Sequence, residues 1–273
     1  MTDNPHILSD NQLLILDPHE AIQGEFSGGA KLSLLSEREK YASHFDTFSA
    51  VLGPSQFEYK ETAIRLPLRL PNLALTSRIK NTPVTVEGMQ GMFKDFIEKE
   101  LQDVMLFLKN ILSIELVEVE KDGTRKILAR AWIDADDRLI AERSRVRGRQ
   151  EELSRHELKI HVEVDGQATV VKRWKVVNSV LDYAEATSIM EKRVGRTIGD
   201  ELAADKLLPH VALAYPLVDL NTKSEQIKGK LFTLLPLPIF SGFPLHIHGI
   251  LALTSSRQNL RNSQDLSPGS REE

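Results

Sequence analysis

The residues with the most chemical potential lie in LPLPIFSGFPLHIHGILALTSSRQNL, from Leu235 to Leu260. His246 and His248 stand one residue apart, so on a strand they share one face. Two neutral imidazoles on one face are the start of a zinc site. A third ligand is missing, because no HxH…H or HxH…D/E spacing follows. The competing reading is a half-exposed strand face opposite Leu245, Ile247 and Leu251. Phe240-Ser241-Gly242-Phe243 lacks the Gly-x-Ser-x-Gly of a nucleophile elbow, so Ser241 is expected to serve the loop. Gly28-Gly29 has neither the Lys-Ser/Thr of a P-loop nor the Gly-x-Gly-x-x-Gly pattern, and reads as a flexible loop. Asp134, Asp136 and Asp137 sit beside Arg138 in a turn after a strand and read as solvated surface. Trp132 and Trp174 read as sheet-packing residues. His6, His19, His44, His156, His161 and His210 show no spacing that favours a site. No catalytic residue and no metal site is assigned.

These residues must be positioned by a chain of 273 residues, long enough for one large domain or two small ones. Hydrophobic residues are 41% of it, enough to bury a core. The 35 basic and 39 acidic residues give a net charge of −4, which supplies no electrostatic case for nucleic acid or an anionic membrane. The chain has no cysteine, so disulfides and thiolate metal sites are excluded. No N-terminal signal and no apolar run of membrane-spanning length is visible. The expected location is the cytoplasm. Residues 262–273 (NSQDLSPGSREE) are polar and expected to be disordered.

The patterning is mixed. Gln12–Leu16 reads as a strand ended by Asp17-Pro18, and residues 20–45 as loop followed by a short helix around Glu37–Lys40. Thr62–Leu70 alternates as a strand, with Pro67 marking an edge or bulge. Thr82-Pro83 looks like a helix start. Apolar residues from Val86 to Leu108 recur at spacings of three and four, which predicts a helix of about seven turns. Asp122-Gly123 and Asp165-Gly166 each separate alternating runs, the signature of two hairpins. Leu158, Ile160, Val162 and Val164 give the second hairpin an apolar face. Ala141–Arg155 is charged and expected as solvated loop or helix end. Leu181–Leu208 reads as helix with a break near Gly195–Gly199. Val211–Leu217, Leu231–Leu237 and Leu245–Thr254 read as strands. The fold class is α+β.

Several stretches together resemble the sacsin family, chaperone-like proteins whose repeats begin with a GHKL-type ATPase domain like that of the ninety-kilodalton heat-shock chaperone. Thr2-Asp3-Asn4-Pro5…Ser9…Leu14-Ile15-Leu16-Asp17-Pro18-His19 is similar to the family's TD-x-P…S…IFDPH. Phe45-Asp46-Thr47-Phe48, followed by Thr62-Ala63-Ile64-Arg65-Leu66-Pro67-Leu68-Arg69, is similar to a DQF segment and then GT-x-FR-x-PLR. Met105–Lys109 resembles LLFLK. Leu235–Pro238 with Ser241–Gly249 and Ala252–Arg257 resembles LPLP-x-x-TGLPVHVNG-x-FAL-(S/T)S-x-RR. His246 lies where the family often has His, and His248 where it often has Asn.

The resemblance implies a partial GHKL-like, heat-shock-chaperone-like ATPase sheet followed by a middle-domain-like α/β sandwich. Residues 1–75 would be the C-terminal part of the ATPase-like domain without its nucleotide-binding helices, as in an N-terminally truncated copy. Residues 76–261 would be the middle-domain-like region, and 262–273 a tail. Full-length relatives use ATP and magnesium. This chain has neither an Asp-x-Gly-x-Gly loop nor a GFNSVYH-like segment, so no cofactor and no ATPase activity are expected of it alone. Thr62 sits where the family's GT strand faces adenine, with Glu61 in place of Gly, which makes it a vestigial pocket residue. Arg257, in a loop after a strand, stands where a related middle-domain arginine contacts phosphate, against a reading as surface arginine. The implied role is chaperone-related, with protein clients or co-chaperones as partners and neither nucleic acid nor membrane. The alternative is a scaffold module that pairs with a full-length relative, a client or itself through an exposed sheet face.

Overall fold

A computed structural model describes residues 4–17, 22, 24–53, 55–75, 81–120, 122–144, 152–194, 210–217, 227–249 and 251. The expected helix beyond residue 194, the strand continuing to Thr254, Arg257 and the tail lie outside the described residues. The chain divides into two compact units, residues 1–94 with 117–126 and residues 95–116 with 127–273. The architecture is α+β, with a four-stranded and an eight-stranded sheet and few helices.

The first unit is built on β1 (His6–Ser9), β2 (Gln12–Ile15), β3 (Ala30–Ser33) and β4 (Thr62–Arg65), in the order β3-β2-β1-β4. β1 and β2 form a hairpin through Asp10 and Asn11, whose φ angles of 45° and 62° are those of a two-residue primed turn. The Asn11 side chain accepts the Tyr59 N–H at 2.7 Å, which ties the turn to the approach to β4. Alternation sends Leu8, Leu13, Ile15 and Leu32 to one side. There they pack with Phe45 and Phe48 from the short helical turns α1 (Leu34–Glu37), α2 (Ala42–Phe45) and a following 3-10 turn. β4 is an edge strand, but it ends at Arg65 rather than Leu70, so Pro67 lies beyond it. A single helical turn, α3 (Pro71–Ala74), follows.

The seven-turn helix is not formed. Helix α4 covers Val86–Lys99, and Thr85 rather than Thr82 caps it, its Oγ1 accepting the Gly88 N–H at 3.0 Å. Beyond Lys99 the chain breaks into turns, and Val104, Met105, Leu106 and Phe107 are all buried. Four consecutive buried residues cannot lie on one face of a helix, so the core forces this segment out of helical geometry.

The eight-stranded sheet runs β11-β10-β12-β9-β8-β7-β6-β5. Its strands are β5 (Ser113–Val119), β6 (Arg125–Ile133), β7 (Glu152–Val164), β8 (Val170–Val180), β9 (His210–Pro216), β10 (Lys230–Thr233), β11 (Leu235–Phe240) and β12 (His246–Gly249). Both Asp-Gly hairpins form, with Gly123 at φ 86° and Gly166 at φ 71°. Helix α5 (Asp137–Ser144) ends within the stretch expected as solvated loop or helix end, but Arg143 on it is not solvated, being only 3% exposed. Asp136 begins α5, its carboxylate accepting the Leu139 N–H at 2.7 Å. Helix α6 (Tyr183–Val194) starts on Asp182, whose Oδ1 accepts the N–H groups of Ala184 and Glu185.

The single strand expected over Leu231–Leu237 is two antiparallel strands, β10 and β11, folded back at Leu234. Leu234 has φ 74°, a conformation that costs a branched, non-glycine residue free energy, and no Gly or Pro announces it. β10 also pairs in parallel with β12, so the sheet is mixed.

Gly229 is fixed by the same corner. A Cβ there would lie 1.9 Å from the Leu245 carbonyl oxygen and 2.4 Å from that of Phe243. Backbone, not a flexible side chain, blocks it, so Gly229→Ala is expected to lower unfolding stability by about 2–3 kcal/mol. Urea denaturation checks this, and a midpoint equal to that of the unaltered chain refutes the packing argument.

Candidate functional site

Register decides which residues can meet. Across the eight-stranded sheet His248 pairs with Ala212, Ala212 with Asn178 and Asn178 with Ser154. The adjacent row runs His246, Ala214, Val176, His156, and His210 pairs with Val180. All these side chains fall on the inner face, because partners directly opposite in a ladder share a face. The inner face therefore has an apolar end, with Trp174, Leu158, Ile160 and Phe232, and a polar end with four histidines.

His246 and His248 do share a face, but it is the buried one, at 2% and 3% exposure, not the half-exposed face expected. Leu234 N–H donates to His248 Nδ1 at 3.1 Å. The same nitrogen lies 3.2 Å from the Phe232 carbonyl, but an amide N–H can only donate, which makes Nδ1 the acceptor. His248 Nε2–H is then left to donate to His210 Nδ1 at 3.2 Å. His248 thus holds the left-handed Leu234, and His210 braces His248. His246 acts likewise one row over. Its Nδ1 accepts the Lys230 N–H at 3.0 Å, and its Nε2 faces Asp103 at 3.8 Å. The Lys230 ammonium contacts Asp103 at 3.3 Å and donates to the Lys99 carbonyl at 2.6 Å, closing the C-terminus of α4.

Arg143 clasps the turns after α4. Its Nη2 donates to the carbonyls of Met105, Leu108 and Ile111. Beside it a small pocket of about 10 Å³ is lined by Leu106, Phe107, Lys109, Arg143, His156 and Asn178. Burial lowers Arg143 to about 10. Burial also pulls His156 down to about 4, helped by the Arg143 charge, and His210 to about 4, helped by His248 and Lys109. His246 and His248 are lowered too, first by burial. Four neutral imidazoles thus sit inside the fold at neutral pH.

The remaining candidates are occupied by structure. Ser241 Oγ donates to the Leu245 carbonyl at 2.9 Å and accepts the Phe243 N–H at 3.2 Å. Asp134 accepts from His161 at 2.7 Å, and the His161 ring stacks on Trp132. Gly28 and Gly29 are left-handed loop residues. Among the described residues no three His, Cys, Asp or Glu side chains converge on a metal position. Thr62 lies at the exposed start of β4, its Oγ1 2.8 Å from Ser9 Oγ, with Glu61 also exposed. Ile64 follows on the same side, in a row with Ile7 and Leu14, and is 63% exposed. In this unit His6 and His44 meet at 3.4 Å, a contact that 38 residues of separation hid from the sequence.

The histidine network couples folding to pH. The unfolded chain takes up protons below about pH 6.5, while His156 and His210 in the fold resist them until about pH 4. Between those limits the unfolded state binds more protons, so stability falls as pH falls from about 6.5 to about 4 and is flat just above it. The expected loss is on the order of a few kcal/mol. Urea midpoints measured across that range test it, and a midpoint independent of pH there would refute the burial of neutral rings.

Comparison with known proteins bears out the resemblance to the sacsin family. Residues 1–130 match the family model described as Sacsin domain. The human protein named Sacsin (Homo sapiens) is 27% identical over an alignment of 296 residues, which covers 96% of this chain and 6% of the human protein. The chain therefore spans a small fraction of the length of the relative it matches. Among the described residues no helix is long and apolar enough to cross a membrane.

Proposed function

We propose that this chain is a sacsin-like, chaperone-related protein that acts in the cytoplasm in protein folding and quality control, and that these 273 residues on their own hydrolyse no ATP. The observation that carries the reading is the similarity to human sacsin along 96% of the chain. In this reading β1 to β4 are the C-terminal part of a GHKL-like sheet, and the eight-stranded sheet is the core of a middle-domain-like region. Thr62 is then the remnant of an adenine-facing position, and Arg257 the counterpart of a phosphate contact. The absence of hydrolysis rests on the sequence, which holds neither an Asp-x-Gly-x-Gly loop nor a GFNSVYH-like segment. The work then left to the chain is contact with protein clients or co-chaperones.

Two assays test this reading. The purified chain is expected to release phosphate from ATP-magnesium no faster than buffer, and to suppress aggregation of a heat-denatured client. Turnover above background removes the first part, and unaltered client aggregation removes the second.

A specific observation favours the scaffold reading as well. Ile64 stands exposed on the edge strand beside Ile7 and Leu14, the kind of apolar row through which a sheet pairs with a partner. Ile64→Lys is expected to abolish self-association, or co-purification with a full-length relative, while changing stability by less than about 0.5 kcal/mol because the site is exposed. Sedimentation and thermal unfolding measure the two quantities. Association that survives the substitution rules out this face.

A further inference from the structure

The pocket at the polar end of the eight-stranded sheet contains an unusual arrangement of charge. Arg143 is 3% exposed, and its Nη1 has no hydrogen-bond partner among the described residues. Its Nη2 is committed to three carbonyls, and among the described residues no carboxylate is within ion-pair distance of the guanidinium, the Glu142 carboxylate bonding Ser154 Oγ at 3.0 Å instead. His156, at 7% exposure, lines the same pocket, and its Nε2 is likewise unpartnered. Lys109 adds a second cation, and Asn178, 8% exposed, supplies an amide. A buried cation without a counter-charge is strongly unfavourable, and a buried N–H without an acceptor adds to that. Both problems are solved by one anionic acceptor.

We propose that this pocket is a binding site for a carboxylate, one of whose oxygens accepts from Arg143 Nη1–H beside the Lys109 ammonium. Size selects the ligand class. A volume of about 10 Å³ admits one water-sized atom. A planar carboxylate can insert a single oxygen and leave the rest of the group at the mouth. A tetrahedral oxyanion is bulkier around the entering oxygen and suits so small a site less well. With its proton on Nε2, His156 donates to the same oxygen, and its Nδ1 remains 3.5 Å from Ser154 Oγ. The carboxylate can belong to a small free acid or to the C-terminus of a bound polypeptide, since the recognising groups see the same oxygen. The site does not depend on the chaperone reading: it is built by the core of the second unit alone.

The test is a titration of the full chain with sodium formate at constant ionic strength, followed by NMR of the Arg143 side-chain N–H and His156 ring signals. Saturable shifts of both are expected with formate and none with sulfate. Lys109→Gln is expected to weaken formate binding about tenfold, the scale of a lost charge-assisted contact, with an unchanged circular dichroism spectrum. Asn178→Leu, which replaces the lining amide by an apolar group of similar size and leaves the Arg143 clasp intact, is likewise expected to weaken formate binding. A peptide with a free C-terminus is compared with its amidated form. Tighter binding of the free form identifies a chain terminus as the ligand, whereas binding of formate alone identifies a small acid, and both support the site. If formate gives no saturable shift, or sulfate shifts the signals equally, the proposal fails: Arg143 is then only a clasp, and the pocket holds water.

Discussion

The second unit depends on a single parity. From β7 through β8 and β9 to β12, even-numbered residues face inward, and the ladder registers keep them aligned row by row. Slipping any one strand by a residue would exchange Trp174, Leu158 and Ala214 for Lys175, Lys159 and Tyr215, and no such sheet could bury a core. The apolar rows therefore enforce the register, and the register carries the histidines indoors with them. His156, His210, His246 and His248 are buried because they share a parity with the core, and they are tolerated because each is neutral and the Nδ1 atoms of His210, His246 and His248 are hydrogen-bonded.

The interior histidines and the buried arginine have a common physical task. Where a chain leaves regular secondary structure inside a core, its backbone groups lose their ladder partners and must be satisfied by side chains. Three examples are found among the described residues of this unit. The left-handed reversal at Leu234 is satisfied by His248, the N–H entering β10 by His246, and the carbonyls of the turns after α4 by Arg143. The polar end of the core thus lies where the backbone is irregular, and the apolar end where it is regular.

This distribution explains what the sequence disclosed. Both Asp-Gly hairpins and the inward set Leu158, Ile160 and Val162 were legible, because turn chemistry and period-two alternation are local. The β1–β2 hairpin is not legible in the sequence, although Asp10-Asn11 is a two-residue turn of the right kind. The flanking strands are only four residues each, too short a run for a period-two alternation to be read. The helix over Val86–Leu108 was overextended because residues at helical spacing continue past Lys99. Burial of Leu106 between Met105 and Phe107 was the contrary signal, and hydrophobicity alone could not reveal it. Arg143 was assigned to solvent because a charged run is normally solvated; its burial depends on carbonyls 32 to 38 residues away. The pairing of His210 with His248 is equally non-local.

The position of His248 bears on the sacsin resemblance. By that resemblance the position often holds Asn where this chain has His248. An asparagine at that point can present its amide oxygen to the Leu234 N–H much as His248 Nδ1 does, since both are acceptors two bonds beyond Cβ. It cannot reach His210, because it ends where the imidazole continues to Nε2. In this chain the position holds a strained backbone reversal, and the contact to His210 is one that histidine makes possible. A metal pair would have required both imidazoles, whereas a backbone brace requires only an acceptor. The side-chain type at this position is thus set by a left-handed leucine fourteen residues earlier, and the HxH spacing that first suggests chemistry is a consequence of how β10 turns into β11.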